Sequence, residues 1–201
     1  MGSIVGILLA AGRSQRFGAD KLLHCMADGR CIAEVAATRL ATACDRTLAL
    51  VGPQSSPELQ ERLRSAGLEL VQAARAQEGM GASLAAGVMG APQAAGWVVA
   101  LADMPAIDSS SIVRVVEALR GGASIAAPWH RGRRGHPVGF AAEWFAALAS
   151  LTGDSGARDV LDTHPDQLTI VEVDDPGVLF DVDTAVDLAR LRHFDAPTPL
   201  G

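Results

Sequence analysis

Apolar and polar residues follow two alternating periods along this chain. Short runs rich in apolar and β-branched residues, which are typical of strands, occupy 4–9, 47–51, 68–71, 97–101, 124–127 and 168–173. Between them, apolar residues at helical spacing predict helices over 32–43, 57–67, 81–89, 108–119, 142–150, 156–163 and 184–193. Strands that alternate with helices indicate βαβ units. We therefore predict the α/β class, with a mostly parallel sheet and helices on both faces.

The composition fits one globular domain rather than a disordered chain. Of the 201 residues, 49% are hydrophobic and 20% are charged, and no Pro- or Ser-rich linker divides them. We predict a single domain over 1–195, followed by a flexible tail at 196–201. Because the formal net charge is −6 and only 4% of residues are aromatic, we do not expect nucleic acid as a partner.

The cysteines and the hydropathy pattern set further limits. Cys25, Cys31 and Cys44 are an odd number without C-x-x-C spacing, which favours three reduced thiols over a disulfide framework or a zinc site. No basic segment with a cleavage site follows Met1, and no apolar stretch approaches the ~18 residues of a membrane span. We therefore expect a cytoplasmic protein without a membrane partner.

The loop after the first predicted strand is a candidate anion-binding segment. It reads Leu9-Ala10-Ala11-Gly12-Arg13-Ser14-Gln15-Arg16-Phe17-Gly18, and Lys21 follows it. Glycine permits close approach of a ligand to the backbone, and backbone N–H groups can hold anionic oxygens. Ligands of open α/β sheets bind at the carboxyl ends of the strands, where this loop lies. The glycine spacing matches neither the dinucleotide fingerprint nor the P-loop. The loop therefore indicates another kind of nucleotide site or, alternatively, a solvated basic turn.

Three aspartates follow predicted strands or an extended segment. Asp103 comes directly after the strand at 97–101, in Ala102-Asp103-Met104-Pro105. Asp181 and Asp183 point the same way if their segment is extended, so one of them can join Asp103 at a metal. Mg²⁺ prefers oxygen ligands and bridges carboxylates to phosphates, so we predict Mg²⁺ here. A turn aspartate at 103 and an N-cap aspartate at 183 are the alternatives.

The segment 131–137 is the densest basic patch of this acidic chain. Its charged residues are Arg131, Arg133, Arg134 and His136. Arginine grips phosphate with two donors, so the patch is suited to a phosphate of a second substrate. No second histidine lies at ligand spacing, so we do not expect His136 to bind a metal. A solvated charged hairpin is the alternative.

Two further segments precede predicted helices. The first is Gly153-Asp154-Ser155-Gly156, before a helix predicted to begin at 155 or 156, where anions are favoured unless Asp154 is only an N-cap. The second is Glu78-Gly79-Met80-Gly81-Ala82-Ser83, whose backbone and Ser83 can contact the edge of a nucleobase. A Ser-capped start of the helix is the alternative there.

Taken together, these segments resemble a known family. The first loop, read as Leu9-Ala10-Ala11-Gly12-x-Ser14-x-Arg16-Phe17-Gly18-x-x-Lys21, is similar to the signature of the MobA-like nucleotidyltransferases. The later motifs are similar to the molybdenum cofactor cytidylyltransferase branch, in its order: Ala102-Asp103-Met104-Pro105, Gly135-His136-Pro137, Gly153-Asp154-x-Gly156-Ala157-Arg158 and Asp181-Val182-Asp183-Thr184. The resemblance covers about residues 4–193. It implies a three-layer α/β/α, Rossmann-like fold of the nucleotide-diphospho-sugar transferase type.

The resemblance also implies a reaction, namely the Mg²⁺-dependent transfer of CMP from CTP to the phosphate of molybdopterin cofactor, with release of pyrophosphate. The residues it implies in the transfer step are Arg16, Lys21 and Asp103, with Mg²⁺ on Asp103 and Asp183. The residues it implies at the nucleotide are Leu9, Ala10, Ala11, Gly12, Arg13, Ser14, Gly18, Lys21, Gly81, Ser83 and Asp103. Those implied at the acceptor are Arg134, Gly135, His136, Pro137, Asp154 and Ser155.

Two positions bear on the details of this resemblance. Alanine at position 11 resembles the CTP-using members, whereas a glycine there is typical of GTP-using relatives. Relatives commonly carry a Pro-containing stretch after the signature, and position 31, often proline, is here Cys31. We expect this departure to change the local geometry and not the triphosphate site.

Several alternatives remain open at this stage. Nucleotidyl transfer brings two anions together, so it needs mostly charge neutralisation and positioning; no Ser-His-Asp or Cys-His arrangement is evident. A GTP-using or sugar-phosphate nucleotidyltransferase is one alternative, and a molybdenum cofactor carrier or insertion chaperone without catalysis is another. A client molybdoenzyme would be a further partner. The missing dinucleotide fingerprint disfavours an NAD-dependent oxidoreductase.

Overall fold

The structure is a computed structural model that describes residues 2–12, 21–26, 28–191 and 194. The predicted tail at 196–201 lies outside these ranges, so the domain bounds stay a prediction. No helix within the described ranges is long and apolar enough to cross a bilayer.

Helices and strands alternate along most of the described chain. The strands are β1 (Ile4–Leu9), β2 (Arg46–Val51), β3 (Glu69–Gln72), β4 (Gly96–Leu101), β5 (Ile125–His130), β6 (Arg133–Arg134), β7 (Val138–Ala141) and β8 (Leu168–Glu172). The α-helices are α1 (Ile32–Ala43), α2 (Pro57–Ser65), α3 (Met80–Met89), α4 (Ser109–Arg120), α5 (Phe145–Ala149), α6 (Arg158–Thr163) and α7 (Ala185–Leu191). Short 3₁₀ turns lie at Lys21–Leu23, Ala76–Glu78, Ala142–Trp144, Pro165–Gln167 and Pro176–Leu179.

The strands form one mixed sheet in the order β3-β2-β1-β4-β7-β5-β6, with β8 paired to β5. The pairs β1–β2, β1–β4, β2–β3 and β5–β8 are parallel, whereas β7 runs antiparallel to β4 and β5, and β6 antiparallel to β5. The register places Leu9 opposite Leu50 of β2 and Leu101 of β4. Strands β2, β1 and β4 therefore end at one edge, and the loops that follow them share it.

Each face of the sheet is covered by an apolar layer. Along β1, Ile4 and Leu8 join the cluster that α1 and α4 complete, whereas Val5 and Ile7 join the cluster that α3 and α5 complete. This alternation follows from the period of two in a strand, and each fully buried Leu or Ile contributes about 1.5–3 kcal/mol. The predicted α/β class, with helices on both faces of a mostly parallel sheet, is confirmed.

The basic segment at 131–137 contains β6 and forms a hairpin with β5, which matches the alternative given for it, and β7 follows. Arg131 (φ +49°) and Gly132 (φ +79°) turn the chain between β5 and β6. Two successive positive φ angles suit a tight hairpin turn. The segment predicted as a helix over 142–150 is also shorter, being a 3₁₀ turn followed by α5.

Helix α6 begins at Arg158, two or three residues later than the predicted start at 155 or 156. Gly153 (φ +70°) and Gly156 (φ +59°) adopt left-handed conformations that a right-handed helix cannot include. Asp154 is therefore not the N-cap, a position that Ala157 takes.

The N-terminus of α4 is stabilised by a distant residue. Asp108 occupies the N-cap position, yet its carboxylate makes no capping bond within the described residues. The buried Asp175 instead accepts from the Asp108 N–H at 2.9 Å and from the Ser111 hydroxyl at 2.8 Å. No local sequence signal predicts this contact, since the residues lie more than 60 positions apart.

Candidate active site

A lysine and two aspartates meet at the edge where β1 and β4 end. The Lys21 Nζ atom lies 2.8 Å from Asp103 Oδ2, 2.9 Å from Asp183 Oδ1 and 2.9 Å from the Val182 carbonyl oxygen. We call Lys21, Asp103 and Asp183 the carboxylate cluster. Its lysine side chain is 13% exposed, Asp103 is 24% exposed and Asp183 is 59% exposed, so one cation is held by three oxygens at a partly exposed site.

The backbone around Asp103 holds the cluster in place. The Ala102 N–H donates to the Leu9 carbonyl at 3.1 Å, which extends the pairing of β1 and β4 past the end of β4. The Val182 N–H donates to the Asp103 carbonyl at 2.9 Å, so the segment before α7 is hydrogen-bonded directly to the aspartate. Asp103 and Asp183 therefore lie close together, as predicted, although they are 80 positions apart in the sequence.

Burial and neighbouring charges together determine the pKa values in and beside the carboxylate cluster. Burial lowers the pKa of the Lys21 ammonium, but its hydrogen bonds and charge interactions with Asp103, and then with Asp183, outweigh burial and raise the pKa above 10.5. Burial raises the pKa of Asp181, and the charges of Asp183 and Asp103 raise it further. The region therefore carries an excess of negative charge that attracts cations.

Thr184, rather than Asp183, caps helix α7. The Thr184 hydroxyl accepts from the Asp187 N–H at 3.3 Å, and Asp187 Oδ2 accepts from the Thr184 N–H at 2.8 Å. This reciprocal arrangement is a capping box. The interpretation of Asp183 as the N-cap is therefore wrong, and its Oδ1 accepts from Lys21 instead.

The donor set of the cluster fits a hard divalent cation. Its ligands are carboxylate and carbonyl oxygens, which Mg²⁺ and Mn²⁺ prefer, and they already hold one positive charge, the Lys21 ammonium. Among the described residues, no group of three or more His, Cys, Asp and Glu side chains is arranged to hold a metal. Two carboxylates are nevertheless typical of a Mg²⁺ site that binds together with a nucleotide, because the phosphates supply further ligands to the metal.

The first part of the predicted nucleotide loop lies beside this cluster at the end of β1. Ala10 is buried, and its N–H donates to the Leu50 carbonyl at 3.0 Å. A Cβ atom at Gly12 would meet no atom of the described residues within 4 Å. The remaining predicted loop residues, Arg13, Ser14, Arg16 and Gly18, lie outside the described residues.

The residues at 134–137, which were predicted to contact the acceptor, form a wall near the carboxylate cluster. The His136 N–H donates to the Val178 carbonyl at 2.9 Å, and a Cβ atom at Gly135 would lie 2.5 Å from that same oxygen. The chain thus needs glycine at 135 for close packing. Pro137 is buried behind it, whereas Arg134 is exposed, with its Nη2 atom 3.9 Å from Asp162 Oδ1.

The imidazole of His136 is the unusual group of this wall. Its Nδ1 atom is buried and has no hydrogen-bond partner in the described part of the chain. Burial lowers the pKa of His136 to about 4, although the nearby charge of Asp103 opposes the shift. His136 is therefore a neutral ring near pH 7, with an unsatisfied nitrogen close to the carboxylate cluster.

The predicted residues at 79–83 and at 152–155 pack against each other. The Gly81 N–H donates to the Gly153 carbonyl at 2.8 Å, and a Cβ atom at Gly79 would lie 2.3 Å from the Gly153 carbonyl carbon. Ser83 is buried, and its hydroxyl donates to the Gly79 carbonyl at 3.4 Å. We call this packing the glycine contact. It joins a segment predicted for the nucleobase to one predicted for the acceptor.

Asp154 and Ser155 lie at the exposed side of the glycine contact. The Ser155 hydroxyl donates to Asp159 Oδ2 at 2.8 Å, and Asp154 is exposed. The structure does not bring these two residues to a helix N-terminus, so the anion-binding argument from a helix start does not apply to them. Their contact with the acceptor stays a prediction.

Fold and site together define a class of protein. The mostly parallel mixed sheet with helices on both faces matches the nucleotide-diphospho-sugar transferase folds of solved structures. The chain belongs to the MobA-like NTP transferase domain family, whose model matches residues 6–168. It is thereby a nucleotidyltransferase.

Relatives and solved structures agree with this family. The nicotine blue oxidoreductase of Paenarthrobacter nicotinovorans is 31% identical over 199 residues, covering 94% of this chain and 96% of the relative. Rv0371c from Mycobacterium tuberculosis H37Rv superposes with a TM-score of 0.80 at 26% identity, covering 96% and 98% of the two chains, and a complex of that protein with manganese has been solved. A nucleotidyl transferase from Methanothermobacter thermautotroptrophicus has a TM-score of 0.81 at 23% identity over 96% and 97% of the chains, which shows the fold.

Proposed function

We propose that this protein transfers CMP from CTP to the phosphate of molybdopterin or molybdenum cofactor, with Mg²⁺, and releases pyrophosphate. The observation that carries the proposal is the Lys21 ammonium held between the Asp103 and Asp183 carboxylates. A cation site of this kind at the carboxyl edge of the sheet suits a triphosphate–metal complex. Lys21, with Arg16, is a residue that the family resemblance assigns to the triphosphate.

Asp103 and Asp183 would hold Mg²⁺, whose chemistry when bound is to neutralise charge on the phosphates. Occupation of the carboxylates by the metal would release the Lys21 ammonium toward the phosphate oxygens. Arg16, which lies outside the described residues, would add a second cation from the loop. The reaction needs no general base when the attacking atom is already a phosphate oxygen, and His136 at a pKa of about 4 is a neutral ring rather than an acid near pH 7.

The nucleotide would lie along the end of β1 and the start of α3. No atom of the described residues lies within 4 Å of a Cβ position at Gly12, which supports approach of a ligand to the backbone groups at 9–12. Ala11 supports CTP, by the resemblance to CTP-using members. Arg13, Ser14 and Gly18 would complete the loop. Gly81 and Ser83 would contact the base through their other atoms, because the Gly81 N–H and the Ser83 hydroxyl hydrogen already bond within the protein.

The acceptor would lie against the wall formed by 134–137. Arg134 is exposed and can bind a phosphate. The ring of His136 would form part of the same wall, with its Nδ1 atom buried in the protein. Gly135 and Pro137 shape this wall, and Asp154 and Ser155 would border it across the glycine contact. The product would then pass to a client molybdoenzyme, which is the protein partner we propose.

A pyrophosphate-release assay with CTP, GTP, UTP and ATP, with molybdopterin as acceptor, tests this function. We expect release with CTP and Mg²⁺ and at least about a 100-fold loss in Asp103→Asn, since removing one charge-stabilising group costs about 3 kcal/mol or more. Asp174→Asn is the matched control, because Asp174 is a fully exposed aspartate.

Other results of this assay identify the alternatives. Preference for GTP would assign the guanylyl-transferring reaction, and release with a sugar phosphate in place of molybdopterin would assign a sugar nucleotidyltransferase. Binding of the cofactor without pyrophosphate release would assign a carrier. Undiminished turnover by Asp103→Asn would contradict the metal assignment.

A further inference from the structure

Two of the three cysteines face each other across a short antiparallel ribbon. Cys25 and Cys31 are paired as an antiparallel bridge. The bonds on either side of the pair run from the Met26 N–H to the Arg30 carbonyl at 2.8 Å and from the Ile32 N–H to the His24 carbonyl at 3.1 Å. This pattern defines the non-hydrogen-bonded type of pair, in which the Cα atoms are about 4.5 Å apart and the side chains share one face.

That spacing lies within the range of Cα distances, about 4.4–6.8 Å, that a disulfide requires. The two thiols also differ in a way that suits stepwise oxidation. Cys25 is exposed, whereas Cys31 is 4% exposed at the N-cap of α1, and burial raises the pKa of the Cys31 thiol. A soluble oxidant therefore reaches Cys25 first, and Cys31 is the thiol opposite it.

We propose that Cys25 and Cys31 form a modification site, at which a low-molecular-weight disulfide such as oxidised glutathione produces a reversible intramolecular disulfide. The Cys25 thiolate attacks one sulfur of the oxidant and expels one glutathione thiolate. The Cys31 thiolate then attacks Cys25 in the mixed disulfide and expels the second glutathione. Two protein thiols are oxidised to one disulfide, one disulfide reagent is reduced to two thiols, and the two protons lost by the protein thiols end on the two expelled glutathione thiolates.

The ribbon that carries this pair is joined to the carboxylate cluster. The His24 N–H donates to the Lys21 carbonyl at 3.1 Å, and Lys21 contacts Asp103 and Asp183. A covalent bond between Cys25 and Cys31 would restrain the chain two residues after the 3₁₀ turn at Lys21–Leu23. We therefore expect oxidation to hinder the movement of Lys21 toward a phosphate, and this second part rests on the proposed function.

Oxidation of the full-length protein by oxidised glutathione, followed by thiol counting and peptide mapping without reductant, tests the site. We expect two of the three thiols to disappear, one peptide pair to carry the 25–31 link, and reductant to restore both thiols. Cys44, whose pKa burial raises to about 12, serves as an internal control that stays reduced. Cys31→Ser should retain a glutathione adduct on Cys25 without a link.

Different results would overturn the modification site and its coupling to Lys21. A Cys25–glutathione adduct that never resolves in the unaltered chain, or a link that involves Cys44 or a second molecule, would overturn the site. With the link formed, we expect pyrophosphate release to fall severalfold and to recover with reductant, with no such fall in Cys31→Ser. Equal turnover by the linked and reduced forms would overturn the coupling to Lys21, whereas no turnover by the reduced form would instead refute the proposed function.

Discussion

The carboxylate cluster and the glycine contact both join residues that are distant in sequence, but they do so by different forces. The cluster holds Lys21 to Asp103 and Asp183 through charge, at a partly exposed site. The glycine contact holds 79–81 to 152–154 through backbone packing and one N–H···O bond of 2.8 Å. A charged contact can exchange its partner for another ion, whereas a backbone contact without room for a Cβ atom cannot rearrange. The carboxylate cluster is therefore suited to binding a ligand, and the glycine contact is suited to holding its two segments in place.

The largest effect should come from filling the glycine contact. Gly79→Ala places a Cβ atom 2.3 Å from the Gly153 carbonyl carbon at a residue with φ +113°, so strain and overlap add. We expect the free energy of unfolding to fall by about 3 kcal/mol, measured by chemical denaturation. Gly122→Ala is the control, because Gly122 also has a positive φ of +96° but open space around it, and should cost about 1 kcal/mol. Equal losses in both variants would remove the packing argument.

A smaller effect should come from removing the cation of the carboxylate cluster. Lys21→Met deletes the ammonium that competes with a metal for Asp103 and Asp183. We expect Mn²⁺ to bind about fivefold more tightly, since a partly exposed ion pair contributes about 1 kcal/mol, in a titration followed by electron paramagnetic resonance. Lys21→Arg retains the charge and should bind Mn²⁺ like the unaltered protein. Unchanged affinity in Lys21→Met would mean that the metal binds elsewhere.

The smallest effect concerns a carboxylate whose role is structural alone, as a reference for the cluster. Asp45 accepts from the Ile4 N–H and from Arg120, each at 2.8 Å. The Ile4 N–H, followed by Arg120, lowers the pKa of Asp45 below 3.8. A lowered pKa contributes stability above that pH, which is lost as the pH falls through the folded-state pKa.

Asp45→Asn should therefore lower the free energy of unfolding at pH 7 by about 0.5–1 kcal/mol, because the pair is 39–42% exposed and screened. The difference from the unaltered protein should shrink below pH 3.8. The exposed Asp166→Asn controls for loss of charge alone. A difference that persists undiminished at low pH would indicate that the charge is not the cause.

The sheet could be predicted from the sequence better than the site. The runs at 4–9 and 97–101 are continuously apolar, so β1 and β4 were predictable from local pattern. The starts of α6 and β6 were not, since left-handed residues such as Gly156 and Arg131 determine them. Thr184 and Asp187 do carry a capping-box signal, which could have shown that Asp183 is not the cap.

The contacts of the site depend on long-range packing that no local pattern reports. The meeting of Lys21 with Asp103 spans 82 positions, and the topology alone suggests only that both lie at one edge. The burial of the His136 Nδ1 atom arises from packing of 135–137 against Val178. The pairing of Cys25 with Cys31 follows from a bridge that composition, with its odd number of cysteines, did not indicate.

A crystal structure of the protein with CTP and Mg²⁺ tests the central claim most directly. We predict a metal about 2.0–2.1 Å from carboxylate oxygens of Asp103 and Asp183, with the triphosphate at 9–12 and the Lys21 ammonium moved from these carboxylates to a phosphate oxygen. CTP bound elsewhere, with Lys21 still between Asp103 and Asp183, would contradict the account.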